Sequence, residues 1–193
     1  MAARQIIVPG AMPSRDENGR ALPAFLRFYA PGTSTPKTVY TSNTLATPPV
    51  DRLAIRTFIS PFDPISVREA LLREKYRGGQ SFYVVPRIKD QPDIAEFLRE
   101  QVPEISFVVA NGQMPPAELD DIMNAFYDGQ YDVLLSTTIV ESGLDIPTAN
   151  TLIVHRAEMF GLSQLYQLRG RVGRSKTRAY ALFTLPANRR LTD

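Results

Sequence analysis

The residues best suited to chemistry lie in the run QLYQLRGRVGR, at Gln164–Arg174. Its polar and glycine positions are Gln167, Arg169, Gly170, Arg171, Gly173 and Arg174. The arginine spacing excludes a single helical stripe, and the two glycines are expected to end the helix that the preceding leucines suggest. Arginines at such a helix end suit phosphate binding, because a guanidinium donates to two oxygens at once and stays charged. The alternative is a basic helix end on a solvated surface.

Three further polar loops follow predicted strands. They are Pro86-Arg87, Asn111–Met114 and Ser136–Pro147. Parallel sheets bind ligands where their strands end, so these loops are expected to form a binding rim at the carboxyl edge. Glycine and asparagine are also ordinary turn residues. The joint placement of the loops with the arginine motif favours a binding site over three unrelated turns.

The elements that must position these residues alternate from Asp51 onward. Strands are predicted at Leu53–Ile59, Ser81–Val85, Ile105–Ala110, Val133–Ser136, Thr151–His155 and Ala179–Thr184. Helices are predicted after Asp63, after Asp90 or Gln91, and at Pro115–Tyr127, each with an apolar face. Short apolar strands alternating with amphipathic helices predict an α/β fold, a parallel sheet flanked by helices.

Composition narrows the class of protein. The 193 residues include no cysteine, which excludes disulfides and cysteine zinc sites, and one histidine, His155, without neighbouring carboxylates, so no metal site is expected. The chain has no apolar run of membrane-spanning length and no secretory signal, so a cytoplasmic location is expected. Net charge is only +2, but residues 159–192 carry lysine and arginine without Asp or Glu, which favours an anionic partner.

The pattern Gln-x-x-Gly-Arg-x-Gly-Arg resembles motif VI of superfamily 2 helicases and translocases. With its flank from Arg156 to Leu165, it is similar to the bacterial transcription-repair coupling factor family, with the RecG branch-migration helicase as a near relative. The resemblance implies a RecA-like C-terminal lobe in which Arg171 and Arg174 are arginine fingers for the γ-phosphate. It also implies that Gln167 and Gly170 help to bind the nucleotide.

The other loops resemble further motifs of the same superfamily. Ser-Thr-Thr followed by Glu-Ser-Gly-Leu-Asp-Ile-Pro resembles motif V, and Gln80–Arg87 resembles motif IV. Ala110–Met114 resembles a His-Gly-Gln-Met segment with asparagine in place of histidine. The DNA-binding residues implied are Thr137, Thr138, Gln113, Asn111 and Arg87. The nucleotide-binding residues implied in motif V are Gly143, for close approach, and Asp145, for the ribose or the arginines.

The sequence lacks a Gly-x-x-x-x-Gly-Lys-Ser/Thr loop and an Asp-Glu box, the elements that hold phosphates and magnesium. By the resemblance, ATP with Mg²⁺ requires a missing first RecA-like lobe, and the chain alone is expected to be inactive. The resemblance implies a motor that moves along duplex DNA. RNA polymerase and excision-repair proteins are implied partners only through domains absent here, and the chain is expected to end before the translocation hairpin.

Residues 1–47 differ from the rest and are predicted as a separate segment before a lobe at 48–193. They are rich in Pro, Gly, Thr and Ser, with short β-like runs at Gln5–Val8, Phe25–Tyr29 and Thr38–Tyr40. The core Phe28–Pro36 resembles the N-terminal segment of certain phage tail-fibre proteins, and a proline-rich linker is the alternative. Two further readings of the whole chain remain: a RecG-type fork helicase lobe, and a phage-tail-like structural fusion without catalysis.

Overall fold

Three of the four helices in the described residues begin at or within one residue of their predicted starts. The structure is a computed structural model that describes residues 53–137 and 146–186, with the backbone of three short strands at 4–6, 25–28 and 37–40. The helices are α1 (Pro64–Tyr76), α2 (Gln91–Gln101), α3 (Pro116–Tyr127) and α4 (Leu162–Arg169). The Asp63 carboxylate accepts from the backbone N–H groups of Ile65 and Ser66, each at 3.2 Å, and so caps α1.

Six strands form the parallel sheet that the sequence predicts. The strands of the chain are β1 (Arg4–Ile6), β2 (Phe25–Phe28), β3 (Lys37–Tyr40), β4 (Arg56–Pro61), β5 (Gln80–Val84), β6 (Phe107–Ala110), β7 (Val133–Ser136), β8 (Ala149–Val154) and β9 (Tyr180–Leu185). The parallel order is β4-β9-β8-β5-β7-β6. The expected α/β fold with helices on both faces is therefore confirmed.

Several strand bounds and pairings differ from the sequence expectation. β4 begins at Arg56 rather than Leu53, because its partner β9 begins at Tyr180 and the Arg56 N–H donates to the Ala179 carbonyl at 3.0 Å. β1 runs antiparallel beside β4, with Arg4 opposite Ile59. β2 and β3 form a separate antiparallel pair.

Alternating side chains of the strands enter two cores, one on each face of the sheet. On β5, Phe82 and Val84 pack in the core that includes residues of α3 and α4, whereas Tyr83 packs with residues of α1 and α2. All three side chains are at most 2% exposed. This alternation determines which face of the sheet each helix covers. The loops lie at the two ends of the parallel strands, called here the amino edge and the carboxyl edge.

Across the described ranges, every helix is too short or too polar to cross a lipid bilayer.

Candidate functional site

The arginine motif is held by the apolar side of α4. Leu165 and Leu168 are buried against the sheet, while Gln167 is exposed on the other side. The helix ends at Gly170, whose N–H donates to the Tyr166 carbonyl at 3.1 Å. The end of α4 thus lies where the glycine spacing predicts, and Gly170 presents exposed backbone with ordinary helical dihedrals.

Gly173 forms the turn that returns the motif to the sheet. Its φ of +74° is one that residues with a side chain rarely adopt. An added Cβ would lie 3.0 Å from Cβ of Ala179 and 3.2 Å from Cγ1 of Ile55. Ile55 and Ala179 immediately precede β4 and β9. Beyond the turn, the Ser175 hydroxyl donates to Oδ1 of Asn150, at the start of β8, at 3.0 Å. Gly173–Ser175 therefore lies at the amino edge of the sheet.

The starts of the three polar loops lie at the opposite edge, whereas the third loop returns to the amino edge at Pro147, just before β8. Arg87 follows β5, Asn111 follows β6 and Thr137 follows β7, and these three strands are parallel neighbours. β8 has six residues, so the two edges are separated by about 20 Å at about 3.3 Å per residue. Arg87, Asn111 and Thr137 are therefore not placed together with the arginine motif, and only the end of the third loop, at Pro147, lies on the motif's side of the sheet, where it lines one cavity with Ser175. The reason is topological: β8 and β9 are parallel, so α4 must carry the chain back across the sheet.

Arg87 forms an ion pair with Asp90, a residue that the sequence analysis considered only as the start of a helix. Its Nε and Nη2 donate to the two carboxylate oxygens of Asp90, both at 2.9 Å. The Arg87 hydrogen bond lowers the pKa of Asp90 despite partial burial, so the pair is ionised and its charges compensate each other. The spacing of three residues between Arg87 and Asp90 was the sequence signal that could have predicted this ion pair. Arg87 thus brings less free positive charge to the edge than its sequence position suggests.

Asn111 and Gln113 lie on one loop and are linked through the backbone. Oδ1 of Asn111 accepts the N–H of Gln113 at 3.1 Å, and its Nδ2 donates to Oε1 of Gln91 at 3.0 Å. The Gln113 side chain is exposed, whereas Asn111 is half-buried. Thr137, also half-buried, follows the buried Ser136 at the end of β7. Gln91 is a residue that sequence analysis assigned only to the start of a helix.

The amino edge carries a basic group of residues that the motif analysis missed. The Arg73 guanidinium lies 4.2 Å, and that of Arg77 5.1 Å, from the centre of the Tyr180 ring. Exposed basic residues on or next to this edge are Arg56, Arg73, Arg77, Lys176 and Arg178. A cavity of about 220 Å³ opens nearby, lined in part by Glu74, Arg77, Asn150, Ser175 and Thr177. Only the terminal block, Lys176 and Arg178, could be recognised from charge runs in the sequence.

His155 is half-buried at the end of β8, as expected for a structural residue. Its ring meets that of Phe62 edge-on, with centroids 5.1 Å apart, and lies 6.4 Å from that of Tyr83. Burial lowers the pKa of His155, so the imidazole is neutral at neutral pH. Three predicted site residues, Thr138, Gly143 and Asp145, lie outside the described residues.

Comparison with known proteins identifies relatives of this lobe. Residues 64–176 match the helicase conserved C-terminal domain family. The transcription-repair-coupling factor of Rickettsia prowazekii is 56% identical over 149 residues, and that of Escherichia coli is 49% identical over 148 residues. Each match covers 77% of this chain and 13% of the relative. The chain therefore spans about an eighth of the length of these curated relatives.

Solved structures of helicases are also similar to this chain. RecG bound to a three-way DNA junction is 38% identical, with a TM-score of 0.62 over 72% of this chain and 19% of that chain. The C-terminal domain of the DEAD-box protein Dbp5 is 20% identical, with a TM-score of 0.50 over 69% of this chain and 78% of that domain. The second likeness concerns the fold alone, a RecA-like helicase lobe.

Proposed function

Because the chain belongs to the helicase conserved C-terminal domain family, we propose that residues 48–193 are the second motor lobe of an ATP-dependent double-stranded DNA translocase acting in transcription-coupled repair. The observation that carries this proposal is the placement of two polar groups on opposite edges of one rigid sheet. The end of the arginine motif, from Gly173 onward, lies at the amino edge, and Arg87, Asn111 and Thr137 follow strands at the carboxyl edge. This separation suits a motor, because nucleotide and DNA can then contact different parts of the same lobe.

At the amino edge, Arg171 and Arg174 act as arginine fingers. Both are half-buried next to the Gly173 turn, so their backbone is positioned before a nucleotide arrives. Gly170 offers open backbone, and Gln167 is exposed one turn earlier. The chemistry required of them is neutralisation of charge that develops on the transferred phosphoryl group.

The residues at this edge fit the phosphates of ATP better than the magnesium ion. Basic side chains and exposed backbone are present, but among the described residues no three His, Asp or Glu side chains lie close enough to hold a metal. Magnesium and the phosphate-binding loop are therefore assigned to the first RecA-like lobe. When bound, magnesium would neutralise charge on the ATP phosphates.

At the carboxyl edge, the proposed DNA contacts are made by Thr137 and Gln113, with Asn111 and Arg87 beside them. Hydroxyl, amide and main-chain groups that contact the phosphate backbone suit movement along DNA of any sequence. Thr138 is proposed as a further DNA contact, and Gly143 and Asp145 as nucleotide contacts, on the resemblance alone. Contacts with RNA polymerase and excision-repair proteins are assigned to other parts of a longer protein.

The proposal is tested by DNA-stimulated ATPase activity. The chain is assayed alone and then with a separately expressed first lobe of a coupling-factor relative, which carries a phosphate-binding loop. We expect activity only in the mixture, and a loss of at least about 100-fold with Arg171→Ala or Arg174→Ala. Arg99→Ala is the control, since it removes an exposed arginine from α2, on the face of the sheet opposite to α4. Turnover by the chain alone, or equal activity of the three variants, would contradict the proposal.

A RecG-type fork helicase lobe is the second candidate, because RecG is the structure 38% identical to this chain. The two functions differ in the DNA that stimulates the assembled motor. A coupling-type translocase should respond to linear duplex, and a fork helicase should prefer a three-way or four-way junction of equal length. The same ATPase mixture, run with both DNAs at matched phosphate concentration, separates them.

A further inference from the structure

One buried amide joins three chain segments at the carboxyl edge. Gln91 is only 4% exposed, at the first position of α2. Its Nε2 donates to the carbonyl of Ala110 at 2.8 Å and to that of Leu135 at a longer 3.4 Å. Its Oε1 accepts from Nδ2 of Asn111 at 3.0 Å. The side chain therefore connects the ends of β6 and β7 with the loop that follows β6.

The direction of these hydrogen bonds is determined by chemistry rather than by choice of rotamer. A carbonyl only accepts, so Gln91 must turn Nε2 toward Ala110 and Leu135. This leaves Oε1 facing Asn111. Asn111 must therefore donate from Nδ2, and its own Oδ1 points away from Gln91. Oδ1 then meets the N–H of Gln113 at 3.1 Å. The polarity of the whole chain of bonds thus follows from two backbone carbonyls, and reversing either amide would place like groups against each other.

The two ends of this relay lie at or near the two proposed DNA contacts in the sequence. Leu135 lies two residues before Thr137 on the same chain, and the relay ends at the backbone of Gln113, whose side chain is exposed. We propose that Gln91 is a positioning residue that holds Thr137 and Gln113 at a set separation for phosphates of duplex DNA. This inference rests on the proposed function, and it assigns Asn111 a role in orienting Gln113.

A purely structural glutamine would behave differently. It would contribute to folding, and its loss would lower stability without depending on whether Gln113 is present. A positioning glutamine acts through the separation between Thr137 and Gln113, so once the Gln113 side chain is removed, removing Gln91 as well should cost little more. The non-additivity in DNA affinity is therefore the readout that separates the two roles.

The first test measures the affinity of the full 193-residue chain for a duplex of about 30 base pairs at low salt, by fluorescence anisotropy. Gln91→Met keeps length and apolar volume but removes every polar contact. We expect a roughly threefold to tenfold weaker Kd, the effect of one lost hydrogen-bonded link. The effect should nearly vanish in a Gln113→Ala background. Gln101→Met is the matched control at the exposed far end of α2 and should leave Kd unchanged.

A second variant keeps the proposal testable if the first fails to fold. Gln91→Glu preserves shape and still accepts from Asn111, but its carboxylate faces the carbonyls of Ala110 and Leu135. Burial raises the pKa of such a carboxyl, and the protonated form can donate again. DNA affinity of this variant, divided by that of the unaltered chain, should therefore recover as pH falls from about 7.5 to about 5.5. A ratio independent of pH contradicts the relay.

The outcomes distinguish the inference from the function on which it rests. If the chain does not bind duplex, or if Thr137→Ala and Gln113→Ala leave Kd unchanged, the proposed DNA edge is wrong and the inference falls with it. If both substitutions weaken binding but Gln91→Met matches Gln101→Met, or adds in full to Gln113→Ala, only the positioning role is overturned.

Discussion

Replacing Gly173 by alanine should destabilise the lobe far more than the same change at Gly170, three residues earlier in the same motif. At Gly173 the φ of +74° costs an L-residue about 1–2 kcal/mol. The new methyl would also lie 3.0 Å from Cβ of Ala179 and 3.2 Å from Cγ1 of Ile55, closer than ordinary contact. Overpacking of this kind costs about 1–3 kcal/mol, and the lower half applies because the Ile55 side chain can shift slightly.

The expected loss is therefore about 2–4 kcal/mol in the free energy of unfolding. For a domain of this size, about 2–4 °C in Tm corresponds to each kcal/mol, so Gly173→Ala should lower Tm by roughly 4–16 °C. Gly170 has φ −68° and ψ −7°, and its added Cβ would lie no closer than 3.4 Å to a neighbour. Gly170→Ala should therefore leave Tm unchanged or raise it by the equivalent of about 0.4–1 kcal/mol.

Urea and thermal unfolding, followed by circular dichroism, measure both variants under the same conditions. The pair is informative because both changes add one methyl within one motif. Equal Tm values for the two variants would refute the argument from backbone conformation. If Gly170→Ala keeps its stability but lowers ATPase activity in the two-lobe mixture, the glycine serves nucleotide approach rather than folding.

Two pH-dependent predictions use the same unfolding assay. The Arg68 guanidinium holds the pKa of Glu104 at about 2, below its ordinary 4.5, so the stabilisation is present above pH 4.5 and is lost as pH falls from 4.5 to 2. Glu104→Gln should flatten the loss of stability in that window, and an unchanged acid profile would count against the pair. Burial lowers the pKa of His155 from 6.5, so folding opposes its protonation and stability falls as pH drops below 6.5. His155→Phe, which keeps an aromatic ring against Phe62 and Tyr83, should reduce the difference in Tm between about pH 7.5 and about pH 5.

Much of the fold was predictable, because the signals for it lie within a few residues of one another. The Asp63 cap, the start of α2 at Gln91 and the end of α4 at Gly170 were each expected and are confirmed. The predicted strand bounds were less accurate where hydrogen bonding to a neighbouring strand determines them. β4 is the clearest case, since its start depends on β9, more than a hundred residues later in the chain.

The residues of the candidate site were proposed from the sequence, but their placement on opposite edges of the sheet was not. The arginine motif and the three loops were recognised from residue types and spacing, and their roles remain predictions. Their assignment to opposite edges follows from the parallel pairing of β8 with β9, a rule that could have been applied to the sequence. The Arg87–Asp90 pair was also within reach, because its members are three residues apart.

The sequence by itself determined the alternation of strands and helices, the two-faced core and the chemistry of the motifs, because periodicity, caps and side-chain types are local properties. Only the tertiary structure decided which groups meet. Gln91 reaches Asn111 and Leu135 across 20 and 44 residues, and Tyr180 meets Arg73 and Arg77 across about a hundred. Such contacts depend on strand order and helix placement, which arise from packing the whole chain and leave no periodic trace in it.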